Sequence, residues 1–149
     1  VAHPNFIADL APNDDRAEKI QQRNEPISLD DLSSTHDVLV FTSRSSPIPF
    51  INNEELILIY AEANIGSDND EAVRAIDVIR TAHGLDAYTG DTTDDALVDE
   101  VLTQRRFSLF GLGHRWVDMR RYNRLDELPI DRDGDDVWMQ FPRPVSEVE

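Results

Sequence analysis

Residues 101–124 read VLTQRRFSLFGLGHRWVDMRRYNR. The stretch gathers Arg105, Arg106, Arg115, Arg120, Arg121 and Arg124 with His114 in a chain whose formal charge is −16. Apolar residues at helical intervals carry a helix from Val101 towards Phe110, Gly111 and Gly113 break it, and a second helix restarts through His114, Trp116 and Met119. Arginines on both sides of such a break can fork onto carboxylates or backbone carbonyls elsewhere in the domain. The structural reading pairs Arg105, Arg106, Arg115, Arg120 and Arg121 with acids such as Glu62, Asp77 or Asp118. The functional reading makes the same arginines an anion or acidic-sugar site.

Upstream, two further helices are predicted over 52–83. Asn52 is placed to cap the first, with Glu55 three residues on as its reciprocal partner. Leu56, Ile59, Tyr60 and Ala63, widened by Ile57, make its expected apolar stripe, and Gly66 ends it. Asp68 and Glu71 open the second, Ala72, Ala75, Ile76 and Ile79 are its buried face, and His83-Gly84 stops it. The short loop between them requires an antiparallel pair, and Ala61, Ala63, Ala72 and Ala75 permit close approach. A Thr92 or Thr93 cap opens the next helix, with Leu97, Val101, Leu102 and Leu109 inward, and 93–123 forms a second pair ending near Tyr122. The fold expected is mainly α, with tetratricopeptide-like hairpins and minor short strands. The whole of 1–149 is expected to be one domain, with irregular segments over 1–50 and 124–149. Within these, a short helix is expected around Asp15–Gln22, a strand at DVLVF (37–41), and a strand or extended segment packed on the helices at VWMQF (137–141).

Gln104-Arg105-Arg106, Leu109, Gly113-His114-Arg115-Trp116, Asp118 and Arg120-Arg121 resemble the signature helix pair of the SusD/RagB family, E-R-R-x-E-L-x-x-E-G-x-R-x-x-D-L-R-R. The resemblance continues in PIPFINNEELILIYAEANIGSDNDEAVRAIDVIRTAHGL and in the closing FPRPVSEVE. Gln104, Ser108 and Leu112 depart from the pattern, standing where the family has glutamates, so the arginines must find their acids elsewhere. The resemblance implies the C-terminal part of an outer-membrane nutrient-binding lipoprotein, displayed at the extracellular face. It implies non-catalytic capture of oligosaccharides and delivery to a SusC-type TonB-dependent transporter, with no cofactor. A helical-repeat domain binding a peptide or partner protein is the alternative, and an excised end of a helical array could form a homodimer.

Other candidates are weaker. Trp116, spaced with Met119, is expected to face the core, and Trp138 to be the better exposed platform for a sugar. Asp131, Asp133 and Asp135 around Gly134 suggest a calcium turn, but not the twelve-residue calcium loop, and an exposed acidic turn is the alternative. His114 and Asp118 share a helix face but are too few to hold a metal. Asp94-Asp95 and Asp99-Glu100 offer the carboxylates of a hydrolase, yet fall in early helical turns where negative charge favours the macrodipole.

With 30 acids against 14 bases, nucleic acid is excluded as a partner, since phosphate recognition requires a basic footprint. No cysteine is present, which removes disulfides and thiol chemistry. Lys19 is the sole lysine beside thirteen arginines, and Asp dominates the acids, a surface suited either to high salt or to ordinary acidic solubility. Salt adaptation predicts a melting temperature that rises from low to molar salt. An unchanged midpoint assigns the acidity to solubility alone.

Overall fold

The structure, a computed structural model, describes residues 1–141, 143, 144 and 146. In chain order its elements are α1 (Pro4–Ala8), a 3-10 turn (Asp15–Lys19), β1 (Ile20–Leu29), β2 (Leu32–Val38), α2 (Asn53–Asn64), α3 (Asn69–Ala82), α4 (Asp94–Ser108), α5 (His114–Arg121) and a 3-10 turn (Leu125–Glu127). The fold is mainly α, with one small sheet, as expected.

Three of the long helices, α2, α3 and α4, begin at the predicted caps. Asn52 Oδ1 accepts the Glu54 amide at 2.9 Å, Asp68 accepts the Glu71 amide at 3.0 Å, and Thr93 rather than Thr92 caps α4. Neither reciprocal half forms: Glu55 turns to His114, 3.6 Å away, and Glu71 bonds Arg74 and Tyr60 instead.

His83 at the end of α3 lies 3.2 Å from Glu54 at the start of α2, so the two helices are antiparallel. The 83–93 connection then climbs back beside α3. Asn69 donates to the Thr92 carbonyl and to Asp94, both at 2.8 Å, so α4 starts where α3 starts and runs alongside it. Beyond the bend, Arg115 of α5 reaches the Leu102 carbonyl, Asp118 reaches Arg105, and Arg124 past the end of α5 reaches Asp99, so α5 lies back against α4.

Ala61, Ala72, Ala75, Ile76, Leu97 and Val101 form the buried centre where α2, α3 and α4 meet. The alanines let the backbones approach, and each large apolar side chain withdrawn from water contributes about 1.5–3 kcal/mol. The expected faces of α3 and α4 are the buried ones. That of α2 is a correction: Leu58 and Ala61 are buried, whereas Leu56, Ile59 and Tyr60 are about half exposed and Ala63 is exposed. The segment EELILIYAEA is apolar nearly all round, so spacing alone cannot select the inward side.

The irregular lead-in expected over 1–50 is also corrected. It contains α1 and an antiparallel hairpin, with Ile20 opposite Val38, Leu29 opposite Leu32, and a bulge between Gln22 and Ile27. Asp30 and Asp31 turn the hairpin with φ of 53° and 63°, the left-handed pair that a two-residue hairpin turn requires. Asp tolerates that region through its short polar side chain. The helix expected to Gln22 gives way to strand at Ile20, and the 37–41 strand lies mostly outside β2.

The VWMQF segment forms no strand and bends at Met139 and Gln140, and it rests against α5 through a hydrogen bond from Trp116 Nε1 to the Trp138 carbonyl at 2.8 Å. Part of the closing FPRPVSEVE lies outside the described residues. No described helix is long and apolar enough to cross a membrane.

Gly84 adopts φ +77°, and a Cβ there would sit 2.9 Å from the Asn13 carbonyl oxygen. Gly113 has φ +83° with open space around it. Both alanine variants meet a left-handed penalty of about 1–2 kcal/mol, so Gly113→Ala melts slightly early and Gly84→Ala, which must also displace backbone, clearly earlier. Equal melting temperatures would remove the packing argument.

Candidate functional site

The bend between α4 and α5 is built by glycine. Gly111, at φ +80°, lies against Val40, and Gly113 takes the left-handed conformation at the start of α5. Reversal there brings Arg105 and Asp118, each nearly fully buried, face to face: Arg105 Nε donates to Asp118 Oδ2 at 2.8 Å. Arg121 Nε donates to the other oxygen of Asp118 at 3.1 Å. Arg121 also forks onto Glu62 of α2, Nη2 to Oε2 at 2.7 Å, and the Tyr122 hydroxyl donates to the same carboxylate. Arg105, Asp118, Arg121 and Glu62 thus run in one line across α4, α5 and α2.

Burial pushes the Glu62 carboxyl up, but hydrogen bonds from Arg121 and Tyr122 outweigh it and hold the group below the usual carboxylate range. Burial, then the hydrogen bond to Glu62, pushes Tyr122 up to about 12.

A second buried anchor was not foreseen in the sequence. Asp14 accepts both Nε and Nη2 of Arg16, at 2.8 and 2.6 Å, with both side chains almost wholly buried. Arg16 Nη1 then donates to Ser108 Oγ at 3.1 Å. Ser108 therefore receives an arginine where the family pattern puts an acid, and the acid comes from Asp14. Gln104, another departure, donates to Glu100 at 2.8 Å, and Glu100 also takes Arg80 at 2.5 Å. Lys19 Nζ donates to the Phe107 and Ser108 carbonyls, both at 2.7 Å, and so caps α4. Burial pushes its amine below the ordinary lysine value. The only readable clue was that a chain with one lysine places it beside an acid–acid–arginine run.

The remaining arginines behave differently. Arg106 pairs with Asp9 at 2.7 Å. Among the described residues Asp77 takes no arginine, and its Oδ1 accepts the Tyr88 amide at 2.6 Å. Among the described residues, no carboxylate lies within ion-pair reach of Arg115 or Arg120. Arg120 instead lies over the Trp116 ring, 5.3 Å from its centroid, and Trp116 is half-buried rather than in the core. Arg115 makes a 3.5 Å contact with the Leu102 carbonyl, and burial, then the charge of Arg106, lowers its pKa. Arg105, Arg106 and Arg115 border a cavity of about 440 Å³ walled by Phe6, Phe110 and Trp116.

The other candidates do not converge. Arg132 fills the acidic turn, donating to Asp135 at 2.8 Å and to Asp30 at 2.5 Å, while Asp131 is held by His3 at 2.9 Å. Asp133 has no ion pair among the described residues. His114 and Asp118 face different partners, Glu55 and Arg105. Among the described residues, Asp14, Asp15 and His83 form the one group of potential metal donors within 4.8 Å of one another. Asp14 is already forked by Arg16, and His83 Nδ1 lies 2.6 Å from Asp15. Trp138 is 55% exposed and does not border the cavity.

Residues 35–142 match the family model described as "SusD family". The chain belongs to the SusD family. A similar solved structure is a SusD superfamily protein from Bacteroides vulgatus, at 28% identity and a TM-score of 0.50, over 52% of this chain. The SusD-family chain spans only 17% of that protein's length. No curated protein matches it.

Removing one partner of a buried ion pair costs about 3–5 kcal/mol. Asp118→Asn is therefore expected to destabilise the chain by a large part of that, and Arg120→Ala by under about 1 kcal/mol, both read by urea melts. The depressed carboxyls of Asp14, where Arg16 outweighs burial, and Glu62 make a signed pH prediction. Their stabilisation is complete above the unfolded carboxylate range, about pH 4 to 4.5. It is lost as pH falls through their lower folded values. Melts between pH 7 and 2 check this: Glu62→Gln should reduce acid sensitivity, and an unchanged profile contradicts it.

Proposed function

We propose that this chain is the helical scaffold segment of a non-catalytic cell-surface protein that captures oligosaccharides and delivers them to a SusC-type TonB-dependent transporter at the outer membrane. The observation that carries the reading is the family match over 35–142, together with the use that segment makes of its arginines. Arg105 and Arg121 join α2, α4 and α5 to one another. Cations engaged in this way position a frame and leave little free for chemistry.

The carboxylates that a hydrolase would need support the same reading by their engagement with neighbouring side chains. Asp94 is bonded by Asn69, Asp99 by Arg124, and Glu100 by Arg80 and Gln104. Two acids flanking one scissile bond must share a cleft within about 5–10 Å of each other, and these are each committed to a different neighbour. Sugar recognition in the whole protein then rests chiefly on residues outside this chain, with Trp138 the exposed indole available here.

One observation favours a second reading. Leu56, Tyr60 and Val78 are each about half exposed on the outer side of α2 and α3. Such a face suits a peptide, a partner protein or a second copy of the chain.

Incubating the chain with oligosaccharide mixtures is expected to leave every glycan intact, and the whole protein is expected to retain oligosaccharide on an affinity gel and to co-purify with a TonB-dependent barrel. Glycan turnover lost in Asp94→Asn would contradict the first expectation. Concentration-dependent sedimentation abolished by Tyr60→Asp, without glycan retention, would favour the second reading.

A further inference from the structure

The cavity beside the bend is bordered by a cation that the scaffold leaves without an acid. Arg105 is about nine-tenths buried, its Nε is committed to Asp118, and its Nη1 is buried with no hydrogen-bond partner among the described residues. Arg115 borders the same cavity, has no carboxylate within ion-pair reach among the described residues, and is repelled by Arg106. A half-buried guanidinium without a carboxylate is costly, and an anion in the cavity supplies what Arg115 lacks, with the Arg105 charge beside it adding to the attraction.

The walls narrow the choice of anion. Phe6 and Phe110 lie with ring centroids 3.9 Å apart, and Trp116 also borders the cavity. An apolar lining of this kind favours a ligand with a ring body over a bare inorganic ion. Asp9 and Glu127 also border the cavity. Asp9 is neutralised by Arg106, but Glu127 has only a 3.8 Å contact with Arg124, so a doubly charged ligand meets repulsion that a singly charged one largely avoids. The volume of about 440 Å³ accommodates a single six-membered ring with its substituents and some water.

We propose that this cavity binds a ring-borne monocarboxylate, whose carboxylate bonds Arg115 beside the Arg105 charge while its ring packs on Phe6, Phe110 and Trp116. The site goes beyond the proposed delivery function and does not depend on it. A sugar acid and an aromatic acid share this chemistry, and the test separates them.

Calorimetric titration of this chain with glucuronate and with benzoate supplies the two sources, with glucose and benzamide as neutral counterparts and inorganic phosphate as the ringless anion. At least one ring acid should saturate a single site, with its neutral counterpart about tenfold weaker or worse. The stronger acid identifies the source. Arg115→Gln should weaken binding by about tenfold or more, and Arg74→Gln, on the outer face of α3, should leave it unchanged. In a Trp138→Phe variant, the remaining indole, Trp116, should shift its emission on saturation, a readout that holds even where Arg115→Gln melts early. The proposal is overturned if neither acid saturates the folded chain, if phosphate or the neutral counterparts bind as tightly, if Arg115→Gln in folded form binds as well as the parent chain, or if Trp116 emission stays constant at saturation.

Discussion

Asp118 is the group on which the arrangement of helices depends. Its carboxylate is almost wholly buried and accepts from Arg105 on α4 and from Arg121 near the end of α5. Through Arg121 the line reaches Glu62 on α2. Burying a lone carboxylate is prohibitive, so the packing of α5 against α4 must bring at least one guanidinium with it. Relative to an apolar cluster of equal volume, such a line gains little net stability; what it supplies is a strong penalty on any register that separates the partners. Direction is fixed by the glycines, and register by the ions.

The charge balance of the chain takes on a structural meaning in this light. A net charge of −16 works against compaction, yet several of the few cations are removed from the surface. Arg16 and Arg105 are buried, and Lys19 is half-buried against the carbonyl end of α4. They neutralise internal acids and helix ends, leaving the exterior dominated by Asp. The N-terminal arm, whose only other buried apolar side chain beyond the small Ala2 is Phe6, is held largely by this polar anchoring at Arg16 and Lys19.

Legibility from the sequence followed physical scale. Helices with a one-sided apolar pattern, α3 and α4, gave up both their limits and their buried faces, because the pattern and the capping residues agree. The inward side of α2 was hidden by apolar residues on every side, and only α3 and α4 packing against it selects Leu58 and Ala61. The hairpin of β1 and β2 escaped notice because its strands are polar and its turn is Asp30-Asp31 rather than an asparagine–glycine pair. Of the arginine line, Asp118 and Glu62 were readable as partners from helical geometry. The isolation of Arg115 and the seating of the Asp14–Arg16 fork on Ser108 were not; the fork itself is local, but its seat lies 92 residues away in sequence.

A double-mutant cycle on Arg105 and Asp118 tests the ion line most directly, using Arg105→Met and Asp118→Leu with urea-melt free energies of the chain, its two single variants and the double. Each single variant strands a buried charge, so each should be strongly destabilised, while the double should recover most of the loss, with a coupling of about 2 kcal/mol or more. Additive losses, with a coupling near zero, would contradict the claim that this buried pair sets the register of the second helical hairpin.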